Sequence, residues 1–375
     1  MSQHRSNRSR RHPTTISRRL YHLVLLLVAS CISSSWHEHT VAAAFPTSPQ
    51  PIMTIPSQVR QRRPLTPTLR GGGGNPSTTA TTSTSLAAVP PLLSSNPFWA
   101  SQQLTLGINA LGLVISLVTQ SHVHLDLLGT GAFAVSVLPA APVANASGRL
   151  AISCGMVALW SVKLAGFLFF RATRVHTDGR LTTTLSTVSG TVGFWVISAI
   201  WGVVTALPHS LTTTSTTAAM PTLSSTPVTN LVGLVLFSAG WLLETTADVQ
   251  KWNFKQTAPS GSFCNVGVWN WSQHPNWCGN FLLWMGILVW NLPSLMTVEP
   301  VEKITWWSTL WSYRKVALAA LSPLLLGTLF YGQATGSITD SVSMANEKYG
   351  YGTDPVYTEY INSTPLFFPR WFGTK

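Results

Sequence analysis

The 375 residues are 45% hydrophobic and only 9% charged, with a formal charge of +12. An ordinary soluble domain carries about 25% charged residues, so most of this chain is not built to face water. The basicity does not suit a nucleic-acid binder either. Residues 1–97 hold ten of the 23 Lys and Arg and one of the 11 acids (+9), leaving thirteen and ten (+3) for the rest, so the charge belongs to a tail and not to a folded face.

Residues 1–44 are laid out as a signal peptide. Six Arg precede the apolar stretch LYHLVLLLVASCI (Leu20 to Ile32), which is short for a membrane span, and Ala42, Ala43 and Ala44 follow as a cleavage-type run. Residues 45–97 carry Arg60, Arg62, Arg63 and Arg70, no acid, many Ser, Thr and Pro, and four consecutive glycines from Gly71 to Gly74. That composition reads as a transit-like disordered segment. In tandem, joined at Ala44-Phe45-Pro46, the two resemble the bipartite presequences of algae with secondary plastids. The expected location is therefore a plastid membrane, with the endoplasmic reticulum membrane as the alternative.

From residue 98 to 375 the chain alternates apolar runs with short polar breaks. The runs are Phe98 to Thr119, Leu127 to Ala146 (kinked by Pro139 and Pro142), Leu150 to Phe170 (with Lys163), Thr191 to Pro208, Val228 to Leu243, Trp277 to Met296 and Val316 to Gln333. A bilayer core takes about 20 apolar residues per helix, and lipid forces backbone polar groups to pair internally. These runs are continuous and too long for barrel strands. The expected fold is all-α, a polytopic membrane helical bundle of six or seven transmembrane helices. The Ser/Thr-rich segment 209–227 reads as a loop. Cys31, Cys154, Cys264 and Cys278 show no paired spacing, so no disulfide framework is expected.

Four polar stretches stand out against this apolar background. RATRVHTDGR (Arg171 to Arg180) follows the third run and reads either as a helix anchor or as a cavity edge closed by Asp178 and Arg180. ETTADVQKWNFK (Glu244 to Lys255) follows the fifth. At about 100° per residue its charges Glu244, Asp248, Lys251 and Lys255 fall near 0, 40, 340 and 20°, a single stripe with acids first. Such a stripe is either an exposed face with helical ion pairs or a charged face turned to a polar cavity. VWNWSQHPNWCGN (Val268 to Asn280) opens the sixth run. His274-Pro275 sets a helix start there, where free N–H groups favour an anion, and Asn276 adds a donor. Trp269, Trp271 and Trp277 read most simply as an interfacial aromatic belt. A zinc site from Cys264, His274 and Cys278 would need a spacing, C-x9-H-x3-C, that is no familiar ligand pattern. NEKYGYGTDPVYTEY (Asn346 to Tyr360) offers Lys348 to a phosphate, and Tyr349, Tyr357 and Tyr360 for donation or stacking.

The order and spacing of these four stretches over residues 100–372 resemble the DUF1295 family, whose members look like the C-terminal domain of steroid 5-alpha-reductases. Glu244, Ala247, Asp248, Gln250, Lys251 and Phe254 match its Glu..Ala-Asp.Gln-Lys element. Lys348, Tyr349 and Gly350 match a Lys-Tyr-Gly element of sterol reductases. In the Arg-His-Pro-Asn-Tyr-Phe-Gly-Glu element, His274, Pro275, Asn276 and Gly279 match. Gln273 stands for the Arg, Trp277 for the Tyr and Asn280 for the Glu, which suggests a salt bridge exchanged for a Gln/Asn pair.

The resemblance implies an NADPH-dependent reductase acting on a C=C bond of a hydrophobic lipid or isoprenoid. Asp248, Lys251, His274, Asn276 and Lys348 would hold the cofactor, with Tyr349 or Tyr357 as proton donor. No metal and no nucleic acid is expected. Two other readings remain open: an S-adenosylmethionine-dependent membrane methyltransferase, against which the missing acid at Asn280 counts, and a catalytically inactive membrane protein of the same fold.

Overall fold

The computed structural model describes residues 93–145, 147–174, 185–215, 220–297, 306–337 and 341–369. The expected presequence, Asp178 and Arg180 lie outside the described residues. Within them the chain is helical, without strands. The long helices are α1 (Pro97–Thr119), α2 (Leu125–Ser136), α3 (Gly148–Arg174), α4 (Val188–Thr205), α5 (Pro227–Thr257), α6 (Pro275–Leu295) and α7 (Trp306–Ala334). Two short ones, α8 (Ser341–Tyr349) and α9 (Pro355–Ser363), follow.

Seven described segments are long and apolar enough to cross a membrane. α2 reaches that length, as Leu125–Ala144, only through a 3-10 turn at Leu138–Ala140 and the short helix Ala141–Ala144. Pro139 and Pro142 account for the break, since each removes a backbone donor. Outward faces are bare hydrocarbon: Leu111 and Val118 on α1, Leu231 and Leu242 on α5, and Leu321 and Leu324 on α7 are all exposed. In water such faces would mark an interaction surface, and their recurrence on α1, α5 and α7 suits lipid.

The interior is aromatic. Trp160, Trp201, Trp284 and Phe133 meet at edge-to-face and tilted angles at the centre, with ring centroids 4.9–6.3 Å apart. The tightest contact in the fold joins α5 and α6. A Cβ on Gly240 would lie 2.5 Å from Gly279 O, and one on Gly286 would lie 2.4 Å from Phe237 N. Gly233 against Trp290 and Gly279 against Glu244 are equally close. On both helices the glycines recur every seven residues, two turns apart, so the backbones meet along one line.

α5 runs unbroken to Thr257, so the stretch Glu244 to Lys255, read as helical from its charge stripe, continues the fifth apolar run. One expectation changes. The Ser/Thr-rich segment 209–227 is a surface loop only in its later part. Residues 206–215 fold back into the bundle and are almost entirely buried, as a four-residue helix (Leu207–Ser210) and a 3-10 turn (Leu211–Thr214). Burial is tolerated because Thr212, Thr213 and Thr214 return their hydroxyls to the carbonyls three residues back.

Candidate functional site

A cavity of about 470 Å³ opens where α5 ends and α6 begins. Its walls come from the last turns of α5, the connection 258–274, the end of α7, and the α8–α9 pair. The connection is pinned to α5: Gln250 Oε1 accepts from Val268 N at 2.9 Å, and Trp269 Nε1 donates to Ala247 O at 3.0 Å. Gln273 and Ser272 hold the opposite wall. Gln273 Nε2 donates to Ile361 O (2.9 Å) and Thr364 O (2.8 Å) at the end of α9, and Ser272 Oγ donates to Phe367 O (2.7 Å).

The turn between α8 and α9 explains the Lys-Tyr-Gly element. Gly350 has φ +75°, a left-handed conformation that favours glycine, and Asp354 caps α9 by accepting from Val356 N and Tyr357 N. The chain reverses there, bringing the rings of Tyr349 and Tyr357 to 5.3 Å. Tyr349, Tyr357 and Tyr360 all gather on Phe263.

Two lysines line the cavity and no carboxylate does. Lys251 Nζ lies 4.2 Å from the ring centre of Trp269. Lys255 Nζ donates to Ser262 O (2.7 Å) and to the Tyr349 hydroxyl (3.3 Å). Tyr357 donates to Asn346 Oδ1 (3.2 Å) and Tyr360 to Trp269 O (2.9 Å). His274, on the lining, is the N-cap of α6 and makes no side-chain cap to the first turn. Its ring stacks on Trp277 at 4.2 Å and 5°, and Trp277 stacks in turn on Phe330. Cys264, also on the lining, has its thiol pushed up by burial against the opposing pull of Lys251 and Lys255, which keeps it protonated and poorly nucleophilic.

Of the residues singled out in the sequence, Lys251, His274, Tyr349 and Tyr357 line this cavity, while Asp248, Asn276 and Lys348 do not. Asp248 turns into the bundle, 3.5 Å from Lys163 Nζ. Asn276 is half-buried in the first turn of α6. Lys348 Nζ lies 5.3 Å from the ring centre of Tyr349. The charged stripe on α5 therefore divides. Glu244 and Asp248 meet Lys163 of α3, with Glu244 Oε2 2.8 Å from its ammonium, and only Lys251 and Lys255 reach the cavity.

Gln273 and Asn280 do not pair. Gln273 holds α9, as above, and Asn280 Nδ2 donates to Glu244 Oε1 at 2.7 Å. Trp269 and Trp277 are buried, so of the three tryptophans only exposed Trp271 suits an aromatic belt. Among the described residues no group of three or more His, Cys, Asp or Glu is arranged to hold a metal. Sequence reasoning did not single out Lys255 or Asn346 as site residues. The signal for Lys255 was its place on the stripe, one turn beyond Lys251.

The profile described as "Protein of unknown function (DUF1295)" matches residues 112–364. No curated protein matches the chain, and no solved structure does.

Proposed function

We propose that this chain, which belongs to the DUF1295 family, is an NADPH-dependent reductase of a C=C bond in an unsaturated isoprenoid or other lipid, with the rim cavity as its cofactor site. One observation carries the reading. Two lysines and His274, the N-cap of a 21-residue helix, converge on a cavity whose lining holds no carboxylate. That field selects a polyanion. A dinucleotide with its phosphates fits it. S-adenosylmethionine, a sulfonium bearing an ammonium group, wants an acidic partner and finds none in the lining. The volume sits within the range of small-molecule sites, about 300–1,000 Å³.

Lys251 and Lys255 would hold phosphates, and the cluster of Phe263 and Tyr357 would form the aromatic wall beside the base. When bound, the cofactor supplies a hydride to one carbon of the double bond. The chain's part is to supply a proton to the other carbon. Tyr349 is the better placed donor, because its oxygen accepts from Lys255 while the Tyr357 hydroxyl is directed to Asn346. An ammonium at 3.3 Å stabilises the phenolate left after transfer. Residence in a plastid membrane, to which residues 1–97 point, accords with this reading.

The test is thermal unfolding of the detergent-solubilised chain with each cofactor. NADPH should raise the midpoint and S-adenosylmethionine should not. Protection by S-adenosylmethionine alone would move the assignment to methyl transfer, and protection by neither would remove the enzymatic reading.

A further inference from the structure

A second polar centre lies away from the rim cavity, where the buried turn Leu207–Thr214 meets α3, α6 and α7. Asn291 stands sixteen residues along α6 from Pro275, about 24 Å at 1.5 Å per residue. Its amide uses both hydrogens, one on Ile287 O (2.9 Å) and one on Ser153 Oγ (2.8 Å), so its orientation is fixed. Ser153 accepts there, and His209 Nδ1, 2.9 Å away, is the acceptor its own proton finds among the described residues. His209 is buried and no acid contacts it, which makes the neutral ring the stable form. A neutral imidazole that accepts at Nδ1 carries its hydrogen on Nε2.

That Nε2–H has no hydrogen-bond partner among the described residues, and neither does Asn291 Oδ1. Ser210 Oγ, next along the buried turn, and Ser294 Oγ, one helical turn beyond Asn291, are unmatched as well. A buried polar group without a bond costs about 1–3 kcal/mol, against a whole folding margin of roughly 5–15 kcal/mol. Two of the four belong to side chains already joined through Ser153, so these atoms call for a partner that the described residues do not supply.

We propose that this centre binds a neutral hydroxyl group. The unmatched set contains a donor (His209 Nε2–H) and an acceptor (Asn291 Oδ1), and an O–H group is both. A cation is disfavoured, because it would face the His209 Nε2–H, which is a donor. An anion would face the Asn291 carbonyl oxygen. Two sources supply the same chemistry, an internal water or the hydroxyl of a lipid or isoprenoid alcohol. The site does not depend on the cofactor reading of the rim cavity.

X-ray radiolytic footprinting of the full chain in detergent tests it, together with native mass spectrometry for retained alcohol and farnesol as the added probe. A bound water is a local source of hydroxyl radical, so His209 should be oxidised at least about tenfold faster than Phe133, which is equally buried among tryptophans. Labelling that farnesol leaves unchanged assigns the hydroxyl to water. Labelling suppressed by farnesol, with one alcohol retained, assigns it to an alcohol, as does an alcohol carried through purification over an unlabelled His209. His209 as silent as Phe133, with no alcohol retained, overturns the proposal.

Discussion

Asn280 donates to Glu244 across the α5–α6 contact at 2.7 Å, within one helical turn of the glycines that let the two backbones touch. Glu244 also accepts from Trp160 Nε1 at 3.4 Å and pairs with Lys163, so its carboxylate is bonded by three side chains from two helices, α3 and α6. A glutamate at position 280 would set a second carboxylate against it. Asn280→Asp should accordingly lower the thermal midpoint of the solubilised protein more than Asn280→Ala does. Asn280→Ala should cost about 1–3 kcal/mol, the scale of one lost bond to a buried group. Equal midpoints for the two variants would contradict a clash between the two carboxyl groups.

Lys163 is the cation between Glu244 and Asp248, and its removal leaves both carboxylates inside the bundle with one counter-charge fewer. Lys163→Met should cost about 3–5 kcal/mol, the scale for breaking a buried pair from one side. Lys163→Met combined with Glu244→Gln should recover part of that loss. Urea titration of the three forms measures it, and a double variant no better than the single one would contradict the pairing.

Gly240→Ala and Gly286→Ala each push a methyl group to within 2.5 Å of partner backbone, which cannot rotate away. Each should cost at least about 1–3 kcal/mol. Gly166→Ala on α3 meets nothing within 4 Å and serves as the matched control, neutral or slightly stabilising. Melting curves of the three variants rank them.

If the rim cavity takes NADPH, Lys251→Met and Lys255→Met should each weaken binding roughly tenfold or more, the worth of one charge-assisted bond. The loss should shrink as salt rises. Tyr349→Phe should instead leave binding within a few-fold of wild type and slow turnover by about 10²–10⁴. Fluorescence titration of the cofactor and single-turnover rates separate the two effects.

Burial pushes the Cys264 thiol above its ordinary range, and the reactive form is the thiolate. A group held neutral by folding binds its proton more tightly in the native state, so alkylation of Cys264 by iodoacetamide should stay slow through neutral pH. It should rise only at an alkalinity beyond that needed by an exposed thiol. The same sign makes native stability fall as pH climbs past the unfolded thiol's value. Fast labelling at pH 7 would place Cys264 outside the closed cavity wall.

The spans were legible because hydrocarbon solvation and internal backbone pairing leave a strong signature, a long uncharged run with polar ends. The break in α2 was legible from Pro139 and Pro142. The partition of the α5 stripe was not, since Lys163 precedes Glu244 by 81 residues and no local pattern couples them. Residues 206–215 misled for a different reason. A run of Ser and Thr reads as solvated, yet hydroxyls that bond back to their own turn are self-satisfying and can be buried. At the rim, His274, Lys251, Tyr349 and Tyr357 were readable as residue types beside helix ends. Which neighbours enclose them depended on Gly350 and Gln273, whose roles exist only once the chain has reversed.

The four glycine contacts make α5 and α6 behave as a single stiff girder, because backbones in direct touch have no side chains between them to reshuffle. Lys251 rides on one limb of that girder and His274 at the foot of the other, so their separation is set in advance. The wall held by Gln273 and Ser272 is joined differently, by a few side-chain hydrogen bonds instead of touching backbones, so of the two it is the one that can yield without breaking the girder.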